Sequence, residues 1–401
     1  MKTSTNQMLP DIYFVGATDW SVRKFHGYDT AEGSSYNSYL ILDQFPTIID
    51  SVKAPFSMEQ ITRIEQIVPL DAIKYLVINH AEGDHTSALP ILVPYLQNAT
   101  IVCNQKCKDY LIKMYPTIQH QDFQIIDARS ELVIGKRILK FIPQTMLHWP
   151  ESMWTYSAYD EIIFTNDGFG QHIASCDRWA DELPLTRVMH LLREYIANIL
   201  GPFPGPIRKC IDSLKNLKVS YLLTAHGLSW RNEFIKYPLE EYNAYANRTH
   251  IKDKILIIYD TMYGNTAKAV KSFAEGVRSM NFQVVLANVK ATNLTQIALH
   301  SYDAAGICVA SPTFNSGMMP LIDGALGYLR GLTLLKGKLA YGFVNGGWNW
   351  KALNEIVLQL ENCKCEVYDK GGFQFKCKAN DEQLNYLFEQ GRILAKKCKQ
   401  E

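Results

Sequence analysis

No Cys-x-x-Cys pair occurs in the 401 residues, although nine cysteines are scattered at positions 103, 107, 176, 210, 308, 363, 365, 377 and 398. That absence argues against a rubredoxin-like iron site or a zinc ribbon within the chain. "CNQKC" and "CKC" have poor spacing for a metal, and their thiols are expected to be buried or free. Charge bias is also missing. The 41 basic and 40 acidic residues leave a formal net charge of +1, which excludes a basic nucleic-acid tail or a polybasic membrane patch. The start, "MKTSTNQMLPDIYFVG", has no apolar core for a signal peptide, and no apolar run is long enough to span a bilayer. A cytoplasmic protein without nucleic-acid or membrane partners is the expectation, and the sequons at Asn98, Asn247 and Asn293 carry no weight there. Internal repeats and low-complexity segments are lacking too.

What is present is an ordinary globular composition, 47% hydrophobic and 20% charged, at a length that favours two domains over one. The first part reads as strands mixed with helices. "SYNSYLIL" and "TIIDSV" suggest a hairpin, and "IKYLVINH", "TIVCN", "EIIFTND" and "VSYLLTAHG" continue the strands. "LTRVMHLLREYIANIL" (185–200) has helical spacing, and "PFPGP" breaks the chain after it. Near residue 250 the pattern changes to a regular alternation of strand and helix that begins at "ILIIYDTMYGNT". That order describes a parallel sheet covered on both faces. The predicted domains are 1–250 and 251–401.

"NHAEGDHTSALP" (79–90) packs His80, Glu82, Asp84 and His85 into six positions after an apolar run. Three more donor candidates stand at or beside strand ends: His148 in "TMLHWP", Asp167 in "IIFTNDGFGQH" and His226 in "LLTAHGLSWR". Loops at strand ends converge on one edge of a sheet, so the seven donors can share a cavity. They exceed what one tetrahedral ion needs, and two ions sharing a bridging carboxylate would use them all. A lone His148 or His226 would more often be a satisfied core or surface histidine; the dense string beside them changes that balance. More carboxylate and less imidazole makes a harder, more anionic site, which favours iron cycling between two oxidation states, although ligand type alone does not exclude zinc.

The string His-x-Glu-x-Asp-His, with the later His, Asp and His, resembles the metallo-β-lactamase superfamily. Hydrolases there carry His-x-His-x-Asp-His and bind zinc; Glu82 stands where they have the second histidine. With its second half, the whole chain resembles the flavodiiron proteins (A-type flavoproteins), and "HWPESM", "NDGFGQH" and "HGLSWR" are similar to that family's local patterns. The resemblance implies an α/β chain: a metallo-β-lactamase-like αββα sandwich followed by a flavodoxin-like doubly wound parallel sheet. It implies two irons, with His80, Glu82 and His148 on one, Asp84, His85 and His226 on the other, and Asp167 bridging. His172 is left outside the ligand set.

In the second half, "YDTMYGNT" (259–266) lies between a strand and a helix. Thr261, Gly264, Asn265 and Thr266 can offer hydroxyl and backbone N–H donors to a phosphate at a helix start. The Walker lysine is absent, which argues against a nucleoside triphosphatase. "SPTFNSG" (311–317) and "NGGWNW" (345–350) follow apolar strands at the edge where doubly wound sheets bind ligands. This triple resembles a flavodoxin and implies FMN. Thr261, Met262, Tyr263, Gly264, Asn265 and Thr266 would take the phosphate. Ser311, Pro312, Thr313, Phe314 and Asn315 would lie at one ring edge, with Asn345, Gly346, Gly347 and Trp348 at the other. The family commonly reads Ser-aromatic-Gly-Trp-Ser-Gly, so the aromatic is missing at Gly346. Ring stacking would then fall to Trp348 or Trp350, unless Trp350 caps the core.

The flavodiiron resemblance implies an oxidoreductase that reduces O2 to water with four electrons, or NO to N2O with two. It also implies a head-to-tail homodimer, or a tetramer built on it. Without a rubredoxin segment, electrons are expected from a separate donor, a rubredoxin-like protein, a flavin reductase or a reduced cofactor. Tyr263 is either a proton donor reaching across the dimer or a solvent-facing loop residue; Lys53 either lines the pocket or sits on the surface. The rival readings are a metal-dependent hydrolase with an appended flavodoxin module, and a pure electron carrier.

Overall fold

The computed structural model describes residues 6–399. One compact unit runs to Tyr195 and resumes over Phe203–Asn247; the second takes Ile196–Pro202 and the chain from Arg248 onward. The helical spacing read over 185–200 becomes an α-helix, Leu185–Tyr195, followed by a π-helical turn, Ile196–Leu200.

The first unit is built on two sheets. In the first, β1 (Gln7–Leu9), β2 (Ile12–Phe14), β3 (Tyr39–Ile41), β4 (Thr47–Ile49), β5 (Tyr75–Val77), β6 (Thr100–Cys103) and β7 (Phe123–Ile125) lie side by side in chain order. The second sheet orders β8 (Glu131–Val133), β9 (Ile138–Pro143), β10 (Met153–Ser157), β11 (Ile162–Asn166), β12 (Tyr221–Thr224) and β13 (Trp230–Arg231) in the same sequential way. Alternate residues of each strand point to opposite faces, and the apolar sets follow that rule. Leu40, Ile48, Leu76 and Ile101 join Ile61 and Ile64 of the helix Ser57–Glu65 and Leu111 of the helix Gln105–Met114. Their neighbours Tyr39, Ile41, Ile49, Val77 and Val102 pack with Leu139, Phe141, Ile162, Phe164 and Leu223 of the other sheet. Burial on both faces explains why β3, β4 and β11 read as continuous apolar runs, whereas β9 alternates between buried and exposed residues. The helix Lys236–Ala246 brings Tyr242 onto Phe169, 4.3 Å between ring centres, and Phe169 stacks in turn on Trp154 of β10. The result is the αββα sandwich.

In the second unit, β14 (Lys252–Tyr259), β15 (Gln283–Asn288), β16 (Ala304–Pro312) and β17 (Leu339–Gly346) form a sheet of order β15-β14-β16-β17. The strands β18 (Glu366–Val367) and β19 (Phe373–Lys376) both pair with β17, and every pairing is parallel. This is the flavodoxin-like order with its helices on both faces. The helices Asn265–Arg278 and Asp381–Cys398 cross on one face through glycines. A Cβ added at Gly276 would overlap the carbonyl oxygen of Phe388, and one at Gly391 the carbonyl oxygen of Phe273. Among the described residues no helix is long and apolar enough to cross a membrane.

Because the helix that crosses at Gly276 also begins at the "YGNT" turn, its depth in the sheet sets that turn's position. Gly276→Ala is expected to cost about 1–3 kcal/mol by overpacking, read as a lower midpoint in denaturant unfolding of the full chain.

Candidate metal centre and cofactor cavity

The donors of the first unit are brought together by a buried polar network that joins its two sheets. Asp50, just after β4, accepts from the Asn79 backbone N–H at 2.7 Å and from the Asn79 and Asn166 side-chain amides at 3.0 and 3.2 Å. Thr155 of β10 donates to Asn79 Oδ1 at 2.7 Å. Asn79 directly precedes His80, and Asn166 directly precedes Asp167. Fixing the two asparagines therefore fixes where two key side chains leave their strands.

All seven sequence-predicted donors meet in one place. Asp167 sits at the centre. Its Oδ2 lies 3.5 and 3.2 Å from Nε2 of His80 and His148, and its Oδ1 lies 3.1 and 3.3 Å from Nε2 of His85 and His226. Glu82 Oε2 is 3.2 Å from Nε2 of both His80 and His148. Asp84 Oδ2 is 3.2 Å from His85 Nε2 and 3.1 Å from His226 Nε2. Two groups result, His80–Glu82–His148–Asp167 and His85–Asp167–His226, with Asp84 and His226 in a third, overlapping group.

His26 completes that third group, and sequence reasoning missed it. Its Nε2 lies 3.5 Å from Asp84 Oδ2 and 3.9 Å from Glu82 Oε1. It stands with Gly27 in the two-residue turn between the strands Lys24–Phe25 and Tyr28–Asp29, its ring stacked 3.9 Å from Phe25. The dipeptide His-Gly between aromatics is a hairpin signal, yet nothing in its spacing points the imidazole inward. Also unforeseen is Tyr195, whose buried hydroxyl has no hydrogen-bond partner among the described residues and whose ring lies 5.2 Å from that of His172. His172 stays outside the donor groups and engages Ser34 Oγ at 2.8 Å through Nδ1. Lys53 holds its Nζ 5.0 Å over the Phe25 ring and 5.8 Å over that of Tyr36, half-buried behind His26.

The electrostatics follow from burial. Although burial alone disfavours its cation, His148 is raised to about 9 by the adjacent carboxylates of Asp167 and Glu82, and His226 to about 10 by those of Asp167 and Asp84. Glu82, against its own desolvation, is lowered to about 2 by His148 and His80. Burial, then the charge on His226, hold His172 well below its ordinary value, so it is neutral.

Both carboxylate oxygens of Asp84 and Asp167, both ring nitrogens of His85, and Nε2 of His148 and His226 are buried without a hydrogen-bond partner among the described residues. Their close approaches are not aligned as hydrogen bonds; they are aimed at shared points. Adjacent ligands about 2.1 Å from one ion are themselves about 3 Å apart, close to the separations seen. The donor set fits metal ions.

In the second unit, a cavity of about 440 Å³ opens at the carboxyl edge of the sheet, a size suited to a cofactor. It is lined by Met262, Tyr263, Asn265, Pro312, Thr313, Phe314, Asn315, Asn345, Gly346, Gly347 and Trp348. Ser316, Asn349 and Cys377, which the sequence did not single out, also line it. Thr261, Gly264, Thr266 and Ser311 do not line it. Thr261 Oγ1 accepts from the Gly264 N–H at 3.1 Å, Thr266 donates to Asn345 Oδ1 at 2.7 Å, and Ser311 Oγ accepts from the Met319 N–H at 3.0 Å. Gly264 caps the helix Asn265–Arg278 with a left-handed φ of +83°, leaving first-turn N–H groups free for a phosphate. The glycine at 346 has a steric cause: a Cβ there would overlap the carbonyl oxygen of Asn349. Trp350 is tied by its indole N–H to Phe375 O at 2.9 Å and lies off the cavity wall, whereas Trp348 lines it.

Residues 35–227 match the family model described as ODP family beta lactamase, and residues 257–387 match that of flavodoxin. The flavodiiron protein from Giardia intestinalis is 45% identical with a TM-score of 0.97, the alignment covering 98% of this chain and 97% of that one. The chain belongs to the flavodiiron protein family. Rubredoxin oxygen:oxidoreductase from Desulfovibrio gigas is similar at 29% identity and a TM-score of 0.94, covering 98% of both chains. A nitric oxide reductase from Moorella thermoacetica is 34% identical over 388 residues, 96% of each. A flavodiiron protein is an oxidoreductase that carries FMN and two iron ions, and the cavity and the donor set fit both.

Two outcomes follow for this flavodiiron protein. With metals removed, the raised histidines contribute stability below 6.5 that fades as pH rises through about 9, and lowered Glu82 contributes above 4.5 and fades towards about 2. The melting temperature of the stripped protein should therefore peak between these limits, and reloading metal should remove the alkaline decline. Gly346→Ala should weaken FMN binding roughly tenfold, the equivalent of about 1.4 kcal/mol of overpacking, as measured by recovery of free-flavin fluorescence.

Proposed function

We propose that this flavodiiron protein is a cytoplasmic oxygen reductase, taking O2 to two waters with four electrons and four protons. The observation that carries the reading is Glu82, a carboxylate inside a donor set that zinc hydrolases of this fold build with histidine. When bound, FMN and the iron pair supply storage for two electrons each, and the iron a Lewis acid for oxygen.

By this reading His80, Glu82 and His148 would hold one iron, Asp84, His85 and His226 the other, and Asp167 would be shared between them. The chain's own groups manage the protons. His26, Tyr195 and His172 each present a buried N–H or O–H site without a hydrogen-bond partner among the described residues, and such groups can hand protons to reduced oxygen. Lys53 adds a positive charge over the Phe25 ring.

Electrons come from a separate donor, a rubredoxin-like protein, a flavin reductase or a reduced cofactor; the rubredoxin named in the Desulfovibrio relative's activity supports the first. A head-to-tail homodimer, or a tetramer built on it, belongs to the same proposal. Tyr263 and Trp348 are 86% and 88% exposed at the cavity mouth, and large aromatics left bare over a cofactor cavity favour a covering surface. In that assembly Tyr263 is a candidate proton donor for the partner's site. A second reading, reduction of two NO to N2O with two electrons and two protons, is supported by the nitric oxide reductase activity named for the Moorella relative.

Steady-state turnover with each gas and a common donor decides between them. O2 is expected to be the faster substrate, and a clear excess with NO would reverse the assignment. His80→Ala should abolish turnover of either gas while leaving the FMN absorbance intact; an unchanged rate would favour the electron-carrier reading, and zinc in place of iron on metal analysis the hydrolase one.

A further inference from the structure

Glu151 of "HWPESM" and Asn104 of "CNQKC" remain without a role, and they meet behind His80. Glu151 of the first is buried, its side chain 0% exposed beside a His80 that is 1% exposed. Its Oε1 lies 2.7 Å from His80 Nδ1 and accepts the Ala81 N–H at 3.0 Å. Its Oε2 is buried with no partner among the described residues. Asn104 of the second motif caps the helix Gln105–Met114 by accepting the Cys107 N–H at 3.0 Å, and its amide donates to the Glu151 carbonyl at 2.6 Å. The helix cap thus clamps the residue that carries the carboxylate.

The other metal group is backed differently. His226 Nδ1 faces the main-chain carbonyl of Ser35 at 2.6 Å, a neutral acceptor, and His85 Nδ1 has no partner among the described residues. Of these three imidazoles, His80 alone has a carboxylate in hydrogen-bond contact with its Nδ1. A buried carboxylate with a bare oxygen is costly in a protein interior, and that cost is offset when a cation sits on the far side of the ring it touches.

We infer that Glu151 is a positioning residue that fixes His80 with its proton on Nδ1 and Nε2 free for metal, making the His80–Glu82–His148 group the tighter and more cation-stabilising half of the pair. This rests on the reading of that group as a metal site. Carboxylate behind imidazole raises the basicity of the ligand nitrogen, so the iron there is the one more easily held in its oxidised state.

The test is a cobalt(II) titration of the metal-stripped full-length protein against a competing chelator, with wild type, Glu151→Gln, Glu151→Ala and His80→Ala. Two binding steps are expected in wild type. In Glu151→Gln one step should weaken by about 10- to 100-fold, the same step that His80→Ala removes, while the other changes less than about threefold. Glu151→Ala should weaken it at least as much. With iron restored, the lower of the two iron midpoint potentials should move upward in Glu151→Gln. Equal weakening of both steps would assign Glu151 a general structural role, and no change in either would show the contact to be idle; both outcomes overturn the inference. Wild type that binds no cobalt would instead overturn the metal-site reading on which it rests.

Discussion

The constraint on which the first unit depends is electrostatic. Glu82, Asp84 and Asp167 converge with His80, His85, His148 and His226 in a space where their polar atoms cannot all satisfy one another by hydrogen bonds. In a low-dielectric interior such a gathering is tolerable only when cations occupy its focus. Protons on the histidines serve as partial substitutes, and metal ions are better ones. The surrounding fold can be understood as the frame that keeps these groups from relaxing apart. Inner strands buried on both faces supply stiffness, and the Asp50–Asn79–Thr155–Asn166 network stitches one sheet to the other immediately next to the donors.

The second unit solves a different problem by a different route. Its ligand carries its own charge and aromatic surface, so the chain provides a groove at a sheet edge, a helix start and space. Glycines act here by what they leave out: the Gly276 and Gly391 crossing lets two helices sit close enough to hold the phosphate turn, and Gly346 lets the chain fold tightly beside the cavity. Rigidity in this unit lies in the sheet, while the binding groups ride on loops.

Much of this was legible in the sequence. The switch near residue 250 marked the second unit's parallel sheet, the first unit's sandwich was expected from the resemblance its motifs carry, and all seven predicted donors gather because strand ends bring them to one edge. Periodicity also marked 185–200 as helical, although not its π-wound end, where apolar spacing looks the same in both forms. What stayed hidden shares a physical cause. Asp50, Asn79 and Asn166 act through contacts between residues far apart in the chain, and Asn and Asp at strand ends read as ordinary turn formers. Glu151 stood in a quoted motif, but only three-dimensional proximity pairs it with His80. Tyr195 lay inside an amphipathic pattern that a core tyrosine fits equally well. The glycine at 346 appeared as a missing aromatic, and its cause, the approach of the Asn349 carbonyl, is a backbone matter that side-chain patterns do not record.

The turn that carries His26 has a further consequence. His26 and Gly27 both have left-handed φ values, +50° and +81°, as a type I′ hairpin turn requires, and no atom lies within 4 Å of where a Gly27 side chain would begin. The angle at which that imidazole leans over the donors is therefore set by local chain geometry together with its stacking on Phe25. Exchanging Gly27 for residues that accept this conformation with differing ease offers a rheostat on where the His26 ring sits beside Asp84 and Glu82.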